Sequence, residues 1–235
     1  SKYGVFNDLH ERVRAQLKKI IMALDTDKNK KGVKNSAEAQ KVSDAYHAFM
    51  NEEDLEQLGI KPIQSDLDDI QKITTPQQLS TYLGQSWRLG LSGPIEGWVD
   101  QDAKQPTQYI LYLMQGGIGL PDRDYYLKKE DKFVEIRAAY LTYLVGLLKM
   151  SDLTQSDDEA SKQAKAVLSL ETKIAEAQWT RAESRQREKT YNKKTREMLI
   201  KEFNFDWMSF LKGMSTSHEA KITQVVLRQP SYFKV

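Results

Sequence analysis

The sequence predicts a mainly α fold, a multi-helix domain carrying one small β-hairpin around residues 96–114. Three observations predict it. Apolar residues recur at three- and four-residue steps from the N-terminus and again beyond residue 130, the spacing of a single apolar stripe on a helix. Between residues 96 and 114 this period gives way to two short runs of aromatic and aliphatic residues separated by a polar turn. With 40% hydrophobic and 29% charged residues in a chain of 235, there is enough apolar surface to bury a core and too much for disorder. One compact domain, 1–235, without internal repeats is the expected organisation.

Val5/Phe6, Leu9, Val13, Leu17, Ile20/Ile21 and Leu24 define an amphipathic first helix of about five to six turns. Asp, Asn, Lys and Gly then break it over residues 25–35, which read as a loop. Ser36 is the expected N-cap of a second helix with the apolar face Val42, Ala45/Tyr46 and Phe49/Met50. Short helical pieces follow around Leu55 and between Ser65 and Ile70. Thr75-Pro76 supplies an N-cap and a proline at the first helical position for a helix through Trp87. Residues 96–100 and 108–114 are the two strands of the hairpin. Phe133 to Leu148 makes one long amphipathic helix and Ala164 to Trp179 another, with an acidic linker between them. Thr195 caps a short helix, residues 205–214 form another, and residues 221–227 read as a terminal strand.

Composition excludes much chemistry. No cysteine means no disulfide, thiolate metal site or cysteine nucleophile. A net charge of +2 provides no global field for nucleic acid or anionic lipid. No apolar run approaches the ~18 residues of a membrane span, and the first eight residues do not read as a signal peptide. Asp25, Asp27 and Asn29 copy the first ligands of a calcium loop, but Lys30 and Ser36 stand where glycine and glutamate are required. His218-Glu219 opens like a zinc helix, yet Ile222 occupies the position of the second histidine. Gly116, Gly117 and Gly119 lack the spacing of a phosphate cradle and precede Leu120-Pro121, so they read as a backbone turn. Residues 181–201 carry eight basic side chains against three acidic ones, read first as a solvated helical rim and second as a cleft wall facing anionic groups. Nucleic acid is the third reading, weakened by Tyr191 being the segment's only aromatic. No complete catalytic constellation emerges.

One string is specific. Gly119-Leu120-Pro121-Asp122-Arg123-Asp124-Tyr125-Tyr126-Leu127 resembles the signature of the neprilysin and endothelin-converting-enzyme family of zinc metallopeptidases. In the same order, residues 1–9, 45–51, 98–102, 170–175, 191–195 and 229–233 resemble further family segments, nearest to the bacterial oligopeptidase-O-like branch. The resemblance implies that this chain is the helical N-terminal part of a zinc metalloendopeptidase acting on small peptides. Its partners would be peptide substrates and a C-terminal catalytic lobe, absent here, with no nucleic acid and no membrane contact from this segment. In the family, zinc is held by two His and one Glu, and a motif Glu is the general base. None of those groups lies in these residues, so no metal is expected to bind this chain and no hydrolysis is expected from it alone.

The implied role is that of a lid enclosing the substrate cavity, which restricts substrate size and excludes bulk water. The family also places arginines at two N-terminal positions that hold a substrate carboxylate. Here those positions are Lys2 and His10, the candidate substrate-binding residues. Lys2 keeps the charge without the bidentate fork. Export to a bacterial periplasm or cell envelope is expected, with any signal or anchor preceding residue 1. The alternative is a free-standing helical module that binds peptide or protein without hydrolysis. Truncation would leave the apolar faces at both chain ends partly uncovered.

Overall fold

The computed structural model describes residues 4–28, 36–151, 153–215 and 222–234. The chain divides into two compact units, residues 1–62 and residues 63–235.

The first unit is built from α1 (Val5–Lys28), α2 (Ala37–Met50) and α3 (Glu52–Leu58). Ser36 caps α2 as expected, its Oγ accepting from the Ala39 N–H at 3.2 Å. Asn51 then separates α2 from α3 and caps the latter through the Asp54 N–H. α1 and α2 pack together, yet the stripe Phe6, Leu9, Val13, Leu17 and Ile20 is exposed, Phe6 to 79%. α1 runs four residues past Leu24. The remainder of the expected loop, residues 29–35, lies outside the described residues, as do Lys2 and His218.

The second unit holds α4 (Gln64–Gln71), α5 (Pro76–Arg88), α6 (Asp124–Leu127), α7 (Asp131–Met150), α8 (Asp157–Ala177), α9 (Arg181–Ser184), α10 (Arg196–Glu202) and α11 (Trp207–Met214). α5 starts with the full capping box, Thr75 and Gln78 each bonding the other's backbone N–H. The expected hairpin is present as β1 (Ile95–Asp102) and β2 (Gln105–Gln115). It is also larger than expected, because the sheet has four strands in the order β1-β2-β4-β3, with β3 (Asn192–Thr195) and β4 (Gln224–Leu227). β4 runs parallel to β2, pairing Leu113 with Leu227, and antiparallel to β3. Pro106 falls in β2 where the register jumps between Gln101↔Tyr109 and Asp102↔Gln105, a bulge that spares it a ladder bond.

Both faces of β2 are buried from Ile110 to Leu113. Leu111 and Leu113 face a core with Leu199, Phe203, Trp207, Phe210, Val225 and Leu227, while Ile110 and Tyr112 pack with Val226, Trp98 and Tyr191. That explains the continuous apolar run in the sequence. α5 and α11 cross at two glycines. A Cβ on Gly84 would strike the Phe210 carbonyl oxygen, and one on Gly213 would strike that of Thr81. α7 and α8 pack side by side, with α6 against both.

Two expectations need correction. Residues 181–201 are not one helical rim, because the segment folds as α9, a turn, β3 and α10. The helix expected through Trp179 ends instead at Ala177, and its C-cap Gln178, with an extended backbone, turns the chain toward the sheet.

Candidate functional site

The parallel pairing of β2 with β4 sends the chain out of both strands at the same end of the sheet. β1 enters there too, since Ile95 pairs with Gln115. Three stretches that are far apart in sequence therefore meet: residues 114–124, residues 178–185 and residues 228–229. Between them lies an open cleft of about 680 Å³.

One wall is the loop that follows β2. Gly117 takes φ +82°, which favours glycine, and a Cβ on Gly119 would overlap the Tyr140 hydroxyl. Glu171 of α8 holds the loop. Its carboxylate accepts from the Gly119 N–H at 3.1 Å, the Tyr126 hydroxyl at 2.8 Å and the Tyr140 hydroxyl at 3.1 Å. Tyr126 Oη in turn accepts from the Leu120 N–H. Burial, reinforced by the adjacent carboxylate, pushes the Tyr126 phenol well above its usual value and the Tyr140 phenol up to about 12, so both are protonated donors at neutral pH. Arg123 Nε donates to the Ala175 carbonyl at 3.1 Å, fixing the loop to the end of α8. Asp122 accepts from the Asp124 N–H and forms an ion pair with Arg181 at 2.8 Å.

The opposite wall is stitched by amides. Gln115 and Trp179 exchange hydrogen bonds, Gln115 Nε2 to the Trp179 carbonyl at 3.0 Å and the Trp179 N–H to Gln115 Oε1 at 2.7 Å. Gln178 Nε2 donates to the Gly116 carbonyl. Buried Gln229 accepts from the Gln115 N–H and donates to Ser184 Oγ. The Tyr232 hydroxyl donates to the Pro94 carbonyl at 2.8 Å, and burial pushes this phenol up to about 12. Thr180 and Glu183 form a second capping box at α9.

Four arginines line the cleft: Arg123, Arg181, Arg185 and Arg228. Arg228 donates to the Ser184 carbonyl at 3.1 Å and lies 5.4 Å from the centre of the Trp98 ring. Met114, Ile118, Leu120 and Trp179 supply apolar lining. No histidine lines the cleft among the described residues, and the Thr180 hydroxyl is taken up by the Glu183 carboxylate at 2.7 Å. Among the described residues no group of three His, Asp or Glu side chains is placed to hold a metal ion. The arrangement can bind and orient a polar, partly apolar segment.

Of the candidate substrate-binding residues, His10 is an exposed residue on α1, and Lys2 lies outside the described residues. The string 119–127, the segment 170–175 and the segment 229–233 all reach the cleft or its supports. Composition and spacing single out none of Arg123, Glu171, Gln115 or Gln229. Membership of those strings is the only signal for Arg123, Glu171 and Gln229, and Gln115 lies outside all of them.

A family model described as peptidase family M13, N-terminal part, matches residues 1–235. Human endothelin-converting enzyme 1 is 29% identical over 222 residues, covering 90% of this chain and 27% of that protein. Mouse neprilysin is 25% identical over 259 aligned positions, covering 99% of this chain and 33% of that protein. The Mycobacterium tuberculosis zinc metalloprotease Zmp1, solved with an inhibitor, superimposes with a TM-score of 0.84 at 29% identity, over 98% of this chain and 34% of that one. The chain thus spans about a third or less of the length of these relatives.

Proposed function

This chain belongs to peptidase family M13, and from that membership we propose that it forms the non-catalytic N-terminal part of a neprilysin-like zinc metalloendopeptidase, enclosing the cavity in which small peptides are cleaved. The observation that carries the reading is the match of the family model to all 235 residues, with three family segments converging on one cleft. The uncovered apolar stripe of α1 supports it. A soluble protein rarely leaves Phe6, Leu9, Val13, Leu17 and Ile20 exposed on one helix without a partner surface, here the catalytic lobe.

In this reading the zinc ligands and the general base belong to that lobe. Residues 63–235 contribute walls, which limit the size of what enters and shed water from it. Lys2 and His10 are the substrate contacts proposed for the first unit, and the protein acts outside the bacterial cytoplasm. No helix among the described residues is long and apolar enough to cross a membrane.

The test is hydrolysis of a quenched fluorescent peptide. Residues 1–235 alone, with added zinc, should cleave nothing. The longer protein should cleave the peptide and lose that activity to a chelator. Chelator-sensitive cleavage by residues 1–235 alone would overturn the division of roles. A natural chain that stops at residue 235 would favour the free-standing binding module.

A further inference from the structure

Four arginines and three carboxylates line this cleft. Arg181 has Asp122, and Asp124 has Lys128 at 2.8 Å, so two of the three acidic groups in the lining are already neutralised. Only Glu96 remains, against Arg123, Arg185 and Arg228. Arg123 and Arg228 are half-buried and held by main-chain carbonyls, each through one N–H, and the rest of each fork makes no hydrogen bond to the described residues. Glu183 lies near enough to Arg123 to feel its charge, but its carboxylate is engaged with the Thr180 N–H and hydroxyl. The Arg185 side chain has no hydrogen bond or ion pair among the described residues, and it is exposed at the end of α9. Guanidinium groups pinned by neutral carbonyls, whose nearby Glu183 carboxylate is already bonded to Thr180, are preorganised for an incoming carboxylate.

We propose that the cleft binds a carboxylate-bearing peptide segment, with Arg185 as the mobile clamp and Arg123 and Arg228 as fixed donors. The ligand is a peptide because apolar side chains share the cleft with the arginines. Met114, Ile118, Leu120 and Trp179 would accept the side chains beside the acidic group, which inorganic anions lack. The site is distinct from the Lys2 and His10 positions. The inference rests on the proposed function only for the source of the peptide, which would be substrate or product held in the cavity.

The experiment uses the full-length protein in a chelator, so that nothing is cleaved, titrated with short fluorescent peptides. Three peptides are compared: one with a free C-terminus, its C-terminal amide, and an amidated version carrying an internal glutamate. The peptide that presents the recognised carboxylate should bind roughly tenfold tighter than the neutral amide, the value of one charge-assisted hydrogen bond. Which of the two acidic peptides wins identifies the carboxylate's source. Arg185→Glu should erase the difference without changing the circular dichroism spectrum, and Arg228→Gln, checked the same way, should reduce it. Equal binding of all three peptides, or an unchanged preference in Arg185→Glu, overturns the proposal. Tighter binding of an oligonucleotide, with a steep salt dependence, also overturns it. The family reading fails separately, if the metal-loaded protein binds peptides and cleaves none.

Discussion

Replacing Glu171 with alanine should release the cleft loop and destabilise the protein by about 3 kcal/mol. The figure follows from its three hydrogen bonds. The bond from Tyr126, whose side chain is buried, is of the kind worth about 2 kcal/mol because a charged acceptor is lost and a buried donor is stranded. The bonds from Gly119 and Tyr140 are nearer to solvent, which can replace the carboxylate, and each is assigned roughly 0.5 kcal/mol. Glu171→Gln keeps the shape and one acceptor oxygen but turns the other into a donor facing a donor, so about 1 kcal/mol should be lost.

Urea unfolding followed by circular dichroism reads both values. A double-mutant cycle with Tyr126→Phe isolates the central contact, for which a coupling of about 1–2 kcal/mol is expected. An alanine variant within about 0.5 kcal/mol of the parent, or no coupling to Tyr126, would show that the loop is held by something other than this carboxylate. Loop release should also weaken peptide binding, because Asp122 and Arg123 ride on the same segment.

Two further outcomes test other parts of the fold. Buried Asp102 accepts from Lys193 Nζ at 2.7 Å, Tyr191 Oη at 2.6 Å and the Lys104 N–H at 2.9 Å, and these bonds, led by that from Lys193, hold its carboxyl well below the usual range against the opposing effect of burial. A depressed folded-state value adds stability above the unfolded carboxylate pKa of about 3.9 and loses it as pH falls through the folded one. The stability gap between the parent and Asp102→Asn, read from urea midpoints, should therefore be full at neutral pH and shrink below about pH 4; a gap that is constant down to pH 3 would refute the assignment. At the α5–α11 crossing, Gly84→Ala should cost at least about 2 kcal/mol, because its Cβ has only backbone to displace. A thermal midpoint equal to that of the parent would show that the helices part without penalty.

The helices were legible where their signals are local. Ser36, Thr75 and Thr195 each cap the helix they were expected to cap, because an N-cap bond spans only three residues. The hairpin was legible for the same reason, its partners being a turn apart. β3 was not. Asn192-Lys193-Lys194-Thr195 has no apolar alternation, and it becomes a strand because β4, some 30 residues later, offers an edge. Asp102 reads as a polar turn residue, since nothing near it announces the lysine and tyrosine about 90 residues away that bury it.

The cleft was hidden for a topological reason. Its walls come together only because β4 inserts beside β2 in parallel, and a parallel neighbour cannot be read from a strand's own pattern, which fixes its two faces and not the strand at its edge. Once that pairing is made, residues after Gln115 and after Leu227 must leave the sheet at one end. α8 must also stop at Ala177, because Gln178 Nε2 and the Trp179 backbone are taken by Gly116 and Gln115. The helix pattern that runs on to Trp179 is thus overruled by two amide contacts. The same contacts deliver Arg181 and Arg185 to a wall they would not reach if α8 continued straight. The early end of α8 and the clustering of arginines are one event, so shortening or lengthening that helix by a turn should move the charge out of the cleft even with every arginine retained.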